Sequence, residues 1–290
     1  VSGIGAISGG ESVGAVIVYR AQNWSTSVTG AEPAYFVARN LVLAQKMGLP
    51  MVIACAQCFS RHRFALEELK DPVMKAQVVK ALGGGVAPGG EVKHLLQVLD
   101  GVSFFATKPL AGLKVACYYG CLLVRPNEVT GFGDEENPTI MDRIVTATGA
   151  QTLDWGLKTA CCGAGMGVPR KDMVLRLTGN IVRQAKAEGA DCLAVACPMC
   201  HYNLDTYQKA IGGDLNVPVL YFTQLVGLSL GLKPEALWLD RHLVDPMPML
   251  APIWAVCCRP PKSKRVDRAS MIFPATIATS SRLVILGRIT

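Results

Sequence analysis

Eleven cysteines in 290 residues are the chemical signature of this chain. Ten fall into close groups, Cys55/Cys58, Cys117/Cys121, Cys161/Cys162, Cys197/Cys200 and Cys257/Cys258, and Cys192 stands alone. An odd count, in a chain large enough to build its own core, argues against a disulfide scaffold. Grouped thiols in a reducing compartment bind metal or carry electrons. Cys121, the pair Cys161-Cys162 and Cys197-x-x-Cys200 form an ordered set, with 39 and then 34 residues between its members. Gly120, Gly163 and Pro198 flank them. Glycine beside a ligand lets the backbone approach a cluster and aim amides at its sulfurs. Five thiolates exceed what one tetrahedral zinc accepts. Soft thiolates without a carboxylate in the motif favour iron–sulfur chemistry. Three other outcomes stay open at this level: buried free thiols, a structural zinc, and a thioredoxin-like dithiol at Cys197/Cys200 that leaves Cys161-Cys162 unexplained.

The segments that must position these thiols alternate between helix and strand. Ala38–Lys46 reads as a helix stopped by Gly48, and Pro50–Ala54 as a buried strand that delivers Cys55-Ala-Gln-Cys58 at its end. Helix is predicted over Arg61–Leu69, Pro72–Leu82 and Val92–Leu99, with Gly83–Gly90 a connector that lacks the lysine of a phosphate-binding loop. Leu113–Tyr118 reads as a strand ending near Gly120-Cys121, and Arg125–Pro138 as a polar loop. Thr139–Thr148 and Lys171–Glu188 read as helices. Cys192–Ala196 reads as a strand delivering Cys197-Pro-Met-Cys200. Helix over His201–Ile211, a strand over Val217–Tyr221 and a helix over Thr223–Leu230 complete the pattern.

Two stretches share one plan. ARNLVLAQKMGLPMVIACAQC and LTGNIVRQAKAEGADCLAVACPMC each run helix, glycine stop, apolar strand, Ala-Cys-x-x-Cys. The expected architecture is α/β, with two pseudo-repeated units over 1–110 and 111–250 built on short parallel strands. In such sheets ligands sit at the carboxyl ends of the strands, where Cys55/Cys58, Cys121 and Cys197/Cys200 fall. Residues 1–30 lack the expected strand–turn signals. Residues 251–290 read as a poorly ordered basic tail.

Charge excludes a nucleic-acid surface. The net charge is +7, but 251–290 holds seven basic groups against one acid, Asp267. That leaves the first 250 residues with 22 basic and 21 acidic groups, not the folded basic stripe such a surface needs. No run of about 18 uncharged apolar residues predicts a membrane span. The start, VSGIGAISGGESVG, lacks the basic n-region of a signal peptide. A cytoplasmic protein is expected.

The pattern CYYGCLLVRP, CCGAGM and ACPMCHYNLD resembles the cysteine-rich CCG domain, and the chain over about 31–250 resembles the B subunit of heterodisulfide reductase and its bacterial relatives. The resemblance implies a non-cubane [4Fe-4S] cluster held by Cys121, Cys161, Cys162, Cys197 and Cys200, which serve as both cofactor-binding and catalytic residues. Cys117 is an alternative to Cys121. In that family such clusters cleave the disulfide between coenzymes M and B. The resemblance further implies a ferredoxin-like iron–sulfur partner, a flavin-containing partner and a small disulfide substrate. Its alternative is a CCG electron-transfer subunit of a flavin-dependent complex without disulfide chemistry. Cys55 and Cys58 match only the end of a first motif. The spacing of the second motif would put the missing pair at Tyr19-Arg20, so one cluster is expected and two of five ligands remain for another. Cys257-Cys258 has no Cys-x-x-Cys behind it, and Cys192 reads as a core thiol. His201 could donate to a sulfur or substrate. Tyr118, Tyr119 and Arg125 could line a channel.

Overall fold

A computed structural model of the chain describes residues 4–6, 16–18, 31–84, 87–102, 106–254 and 284–286. Short strands alternate with helices, as the periodicity predicts. The second half is built on an all-parallel sheet of β5 (Lys114–Tyr118), β6 (Gln151–Thr152), β7 (Cys192–Val195) and β8 (Val219–Tyr221), in the order β6-β5-β7-β8. β7 is buried along its whole length and β5 from its second residue. Such burial on both faces explains why these strands read as continuous apolar runs. The register sets Tyr118 beside Val195 and Val195 beside Tyr221, so three strands finish level.

The first half uses β3 (Met51–Ile53) and β4 (Val92–His94), paired in parallel. They belong to a five-stranded sheet with β1 (Ile4–Ala6), β2 (Val16–Val18) and β9 (Val284–Leu286), in the order β1-β9-β2-β3-β4. Two strands thus lie in 1–30, where no strand signal was legible, and one lies in 284–286, inside the segment read as tail. Each is three residues long, too short for periodicity to register. Cys257 and Cys258 lie outside the described residues.

Three other expectations change. Val92–Leu99 is a strand over Val92–His94 followed by a short helix over Leu95–Leu99. Pairing with Met51–Ile53 overrides local propensity there, and His94 Nδ1 accepts from the Leu96 N–H to start the helix. The helix after Cys197 begins at Pro198 rather than at His201. Proline suits a first helical position, where the missing N–H would have no partner anyway. The polar loop 125–138 contains one helical turn, Asn127–Thr130.

His62 and His94 are fully buried, each with Nε2 lacking a hydrogen-bond partner. Burial lowers their pKa values, to about 4 for His62 and about 3 for His94. The unfolded chain takes up these protons near the ordinary imidazole value, and the folded chain resists them. Stability is therefore complete above about pH 6.5 and falls as pH drops toward 4. Denaturant titrations at pH 7.5 and pH 4.5 are expected to differ by up to roughly 3 kcal/mol per histidine. A His62→Gln variant should show a flatter profile than the parent. Equal stability at the two pH values would contradict this account.

Candidate metal centre

Cys121, Cys161, Cys162, Cys197 and Cys200 come together at the carboxyl edge of the second sheet. Each arrives by its own local device. β5 ends at Tyr118, and Gly120 turns the chain at φ +70° so that Cys121 opens a short helix. A Cβ on Gly120 would stand 3.1 Å from Cys200 Sγ, so the glycine is where backbone and sulfur meet most tightly. β7 runs through Ala196 into Cys197, which caps the helix Pro198–Thr206 and places Cys200 in its first turn. The pair Cys161-Cys162 sits on a loop held by backbone hydrogen bonds, with Tyr119 N and Gly120 N both donating to the Lys158 carbonyl. Tyr118 Oη donates to the Ala160 carbonyl at 2.5 Å.

The sulfurs make a chain of contacts. Cys121 lies beside Cys161, and Cys162 Sγ lies 3.5 Å from Cys200 Sγ. Cys200 lies beside Cys197, and Cys197 beside Cys55. Amides point at the same sulfurs. Gly163 N donates to Cys161 Sγ at 3.3 Å and Ala164 N to Cys162 Sγ at 3.4 Å. The Met199 and Cys200 N–H groups, at the helix N-terminus, lie near the Cys197 sulfur and favour its charge.

These donors favour thiolates at three positions. The Cys121 thiol, then the Gly163 amide, bring Cys161 down to about 6. The Cys200 thiol holds Cys162 below its ordinary range, and the Cys200 and Cys55 thiols hold Cys197 far below. Burial works against all three. Cys200 is pushed up by the Cys162 and Cys197 sulfurs, and Cys121 by the Cys161 sulfur. Cys161 is exposed, whereas Cys162, Cys197 and Cys200 are buried, so the group opens to solvent on one side.

Cys117 does not join this group. Its side chain is fully buried with Asp142, Lys158 and Cys192 as its charged and titratable neighbours. Tyr118, one residue on, faces Cys200, Cys162, Cys121 and Cys161 instead, as strand alternation requires. Cys192 is likewise buried in its strand. Cys55 and Cys58 reach the group from the first half. Cys55 caps the helix Ala56–Glu68 and accepts from Cys58 N at 3.4 Å.

The remaining candidates hold the frame. Arg125 binds Glu136 and Thr159, so it clamps the polar loop to the segment before Cys161. Tyr119 Oη donates to Asp142 at 2.6 Å. The His201 ring stacks on Tyr221, with centroids 4.7 Å apart, and meets His242 at 3.2 Å. His201, Asp205 and His242 each offer an atom within the spacing that a cation uses. Their hydrogen bonds are already committed. Gln224 accepts from Tyr221 N and donates to the Leu237 carbonyl, which orients its amide, and it then donates to His242 Nε2. The His242 proton therefore sits on Nδ1 and points to His201 Nε2. Both Asp205 oxygens accept backbone amides, from Leu243 and Val244.

Sequence reasoning missed Asn203. Its amide donates to the Cys162 carbonyl at 3.1 Å, the Ala164 carbonyl at 2.9 Å and the Cys162 sulfur at 3.6 Å. Its Oδ1 is buried without a partner. The available signal was its position three residues after Cys200, on the same side of the helix.

Five sulfurs converging with amide donors, on a fold with parallel strands, define a cysteine-rich domain built for a metal–sulfur centre. The cysteine-rich CCG domain family matches residues 115–205. Over 235 residues the chain is 35% identical to the B subunit of the ferredoxin:CoB-CoM heterodisulfide reductase of Methanosarcina mazei, covering 76% of this chain and 78% of that one. It is 36% identical over 219 residues to the 8-methylmenaquinol:fumarate reductase membrane anchor subunit of Wolinella succinogenes, covering 72% and 77%. The chain belongs to the family of heterodisulfide reductase B subunits, whose members are iron–sulfur, electron-transferring components of oxidoreductases. A solved hypothetical protein from Helicobacter pylori shares the fold, with a TM-score of 0.61 at 14% identity over 75% of this chain and 42% of that one. Among the described residues no helix is long and apolar enough to cross a membrane.

Gly163 combines φ +86° with a Cβ position 2.8 Å from Val174 Cγ2, whereas Gly112 shares the φ but has nothing within 4 Å. Gly112→Ala should cost about 1–2 kcal/mol from backbone strain alone. Gly163→Ala should cost more and displace the Cys161-Cys162 loop, so reconstituted iron per chain should drop. Parallel urea titrations and iron assays of both variants check this; equal costs would refute the packing argument.

Proposed function

We propose that this chain is the iron–sulfur subunit of a heterodisulfide-reductase-like complex that reduces a disulfide. The convergence of Cys121, Cys161, Cys162, Cys197 and Cys200 on one sheet edge carries the reading. The donor set fits the group, since five soft sulfurs lie together, amides face those of Cys161, Cys162 and Cys197, and no carboxylate intrudes. These residues would hold one non-cubane [4Fe-4S] cluster. Such a cluster supplies one-electron transfer and iron able to meet a substrate sulfur. Cys117, on the other side of its strand, is left out of this assignment. The Gly163, Ala164, Met199 and Cys200 amides stabilise sulfur charge, and Asn203 holds the Cys162–Ala164 turn. Tyr118 walls one side and excludes water, while the exposed Cys161 marks the side where a substrate enters.

Electrons would arrive from a ferredoxin-like iron–sulfur subunit fed by a flavin-containing subunit. The substrate would be the CoB–CoM heterodisulfide named for the Methanosarcina relatives, or an analogous disulfide. We read residues 1–110 and 111–250 as divergent copies of one unit, with the first motif reduced to Cys55 and Cys58. The proposed place of work is the cytoplasm. One observation favours a second reading. The similarity to a fumarate reductase subunit is as high as that to the disulfide reductases, which suits a relay subunit without disulfide chemistry.

Anaerobically purified full-length protein should carry about four iron and four acid-labile sulfide per chain. Serine at Cys121, Cys161, Cys162, Cys197 or Cys200 should abolish the centre's EPR signal, and Cys117→Ser should not. Added disulfide should change that signal if the chain reduces disulfides and leave it alone if the chain is a relay. Zinc without sulfide would sink both readings.

A further inference from the structure

The pair Cys55/Cys58 stands outside the five cysteines of the complete motif. The sequence has no other cysteine among residues 1–54, and Tyr19-Arg20 occupy the place of an adjacent pair. Yet Cys55 is bound into the group. Its thiol lies beside the Cys197 and Cys58 sulfurs. Ala56 N donates to the Ala196 carbonyl at 3.1 Å, locking the end of β3 to the end of β7. Cys55 caps a 13-residue helix, so Cys58 lies on its first turn and donates its amide to the Cys55 sulfur. A Cys-x-x-Cys across a helix N-terminus puts two sulfurs within the reach of a disulfide. A further observation is independent. His94 is fully buried beside Cys197 and the Ala54 and Ala196 carbonyls. Since Nδ1 accepts from Leu96 N, its proton is on Nε2, and that donor has no hydrogen-bond partner. That N–H faces the Ala54 and Ala196 carbonyls, at the junction of the two Cys-x-x-Cys turns.

We propose that Cys55 and Cys58 are a reversible dithiol/disulfide couple in contact with the centre through Cys197. The disulfide takes up two electrons and two protons; its S–S bond breaks and two thiols form. The electrons come singly from an iron–sulfur reductant held by the neighbouring thiolates. A disulfide of small thiols reoxidises the couple by exchange, which releases two small thiols and restores the Cys55–Cys58 bond. The electron source rests on the function proposed above, whereas the couple itself does not.

The test uses full-length protein under anaerobic conditions, equilibrated with reduced and oxidised dithiothreitol at fixed ratios. The thiols are then alkylated, and the peptide carrying Cys55 and Cys58 is followed by mass spectrometry. One two-electron transition is expected, with the disulfide-to-dithiol ratio changing tenfold per tenfold change in buffer ratio. Cys55→Ser and Cys58→Ser should each remove that transition while iron and sulfide per chain stay at the parental level. Oxidising the couple should alter the centre's EPR signal in the parent and not in Cys58→Ser. Thiols that remain alkylatable at every ratio would overturn the couple. Loss of iron or sulfide in either serine variant would also overturn it, by showing both residues to be ligands. A couple that titrates in protein lacking iron and sulfide would stand, but its electron source would be refuted.

Discussion

A sulfur that carries charge inside a protein must be met by donors, and this requirement organises the molecule. Backbone amides are the donors that cost no side-chain ordering, and a strand that turns directly into a helix presents several at once. Cys55 and Cys197 each occupy that turn as the cap residue. Parallel pairing then decides which turns are neighbours. With Tyr118, Val195 and Tyr221 level, the turn after β5 and the turn after β7 open side by side. Gly120 completes the approach, because it takes φ +70° and a Cβ there would stand only 3.1 Å from the Cys200 sulfur.

The Cys161-Cys162 loop has no strand of comparable length behind it, so other forces hold it. Lys158 is buried with Asp142 at 3.1 Å and Asn137 at 3.0 Å, and Asp142 also receives the Tyr119 hydroxyl. A buried ion pair adds little net stability once desolvation is counted. Its effect here is geometric. The Lys158 carbonyl receives Tyr119 N and Gly120 N, so the segment before Cys161 and the segment before Cys121 are tied at one point. Arg125 on Thr159 and Tyr118 on Ala160 add two further ties within three residues. The two sulfur-bearing loops are therefore tied to each other through residues 158–160.

The histidines divide along similar lines. His62 and His94 are held neutral in the core, and both lie next to the first Cys-x-x-Cys turn or its neighbours. His201 and His242 form a hydrogen-bonded pair oriented by Gln224. Burial lowers both, and each ring also touches elements remote in sequence. The residue directly after the second Cys-x-x-Cys thus serves the packing of Tyr221 and the loop around His242.

Much of the centre was legible in the sequence. Thiol spacing, flanking glycines and the strand-then-cysteine pattern are local properties, and β7, the Cys197 turn and the helix Lys171–Ala187 follow from them. Short elements were not legible. Val92–His94 is a strand only because Met51–Ile53 lies beside it, and the strands in 1–30 and 284–286 carry too few residues for periodicity. Composition showed sulfur chemistry, but it could not say which sulfurs meet. Strand alternation in the folded sheet sent Cys117 away from the group and Tyr118 toward it. The meeting of Cys55 with Cys197, 142 residues apart, belongs to the tertiary structure alone. Spacing along a chain specifies local turns, whereas contact between distant turns depends on how two sheets pack, and no short-range pattern encodes that.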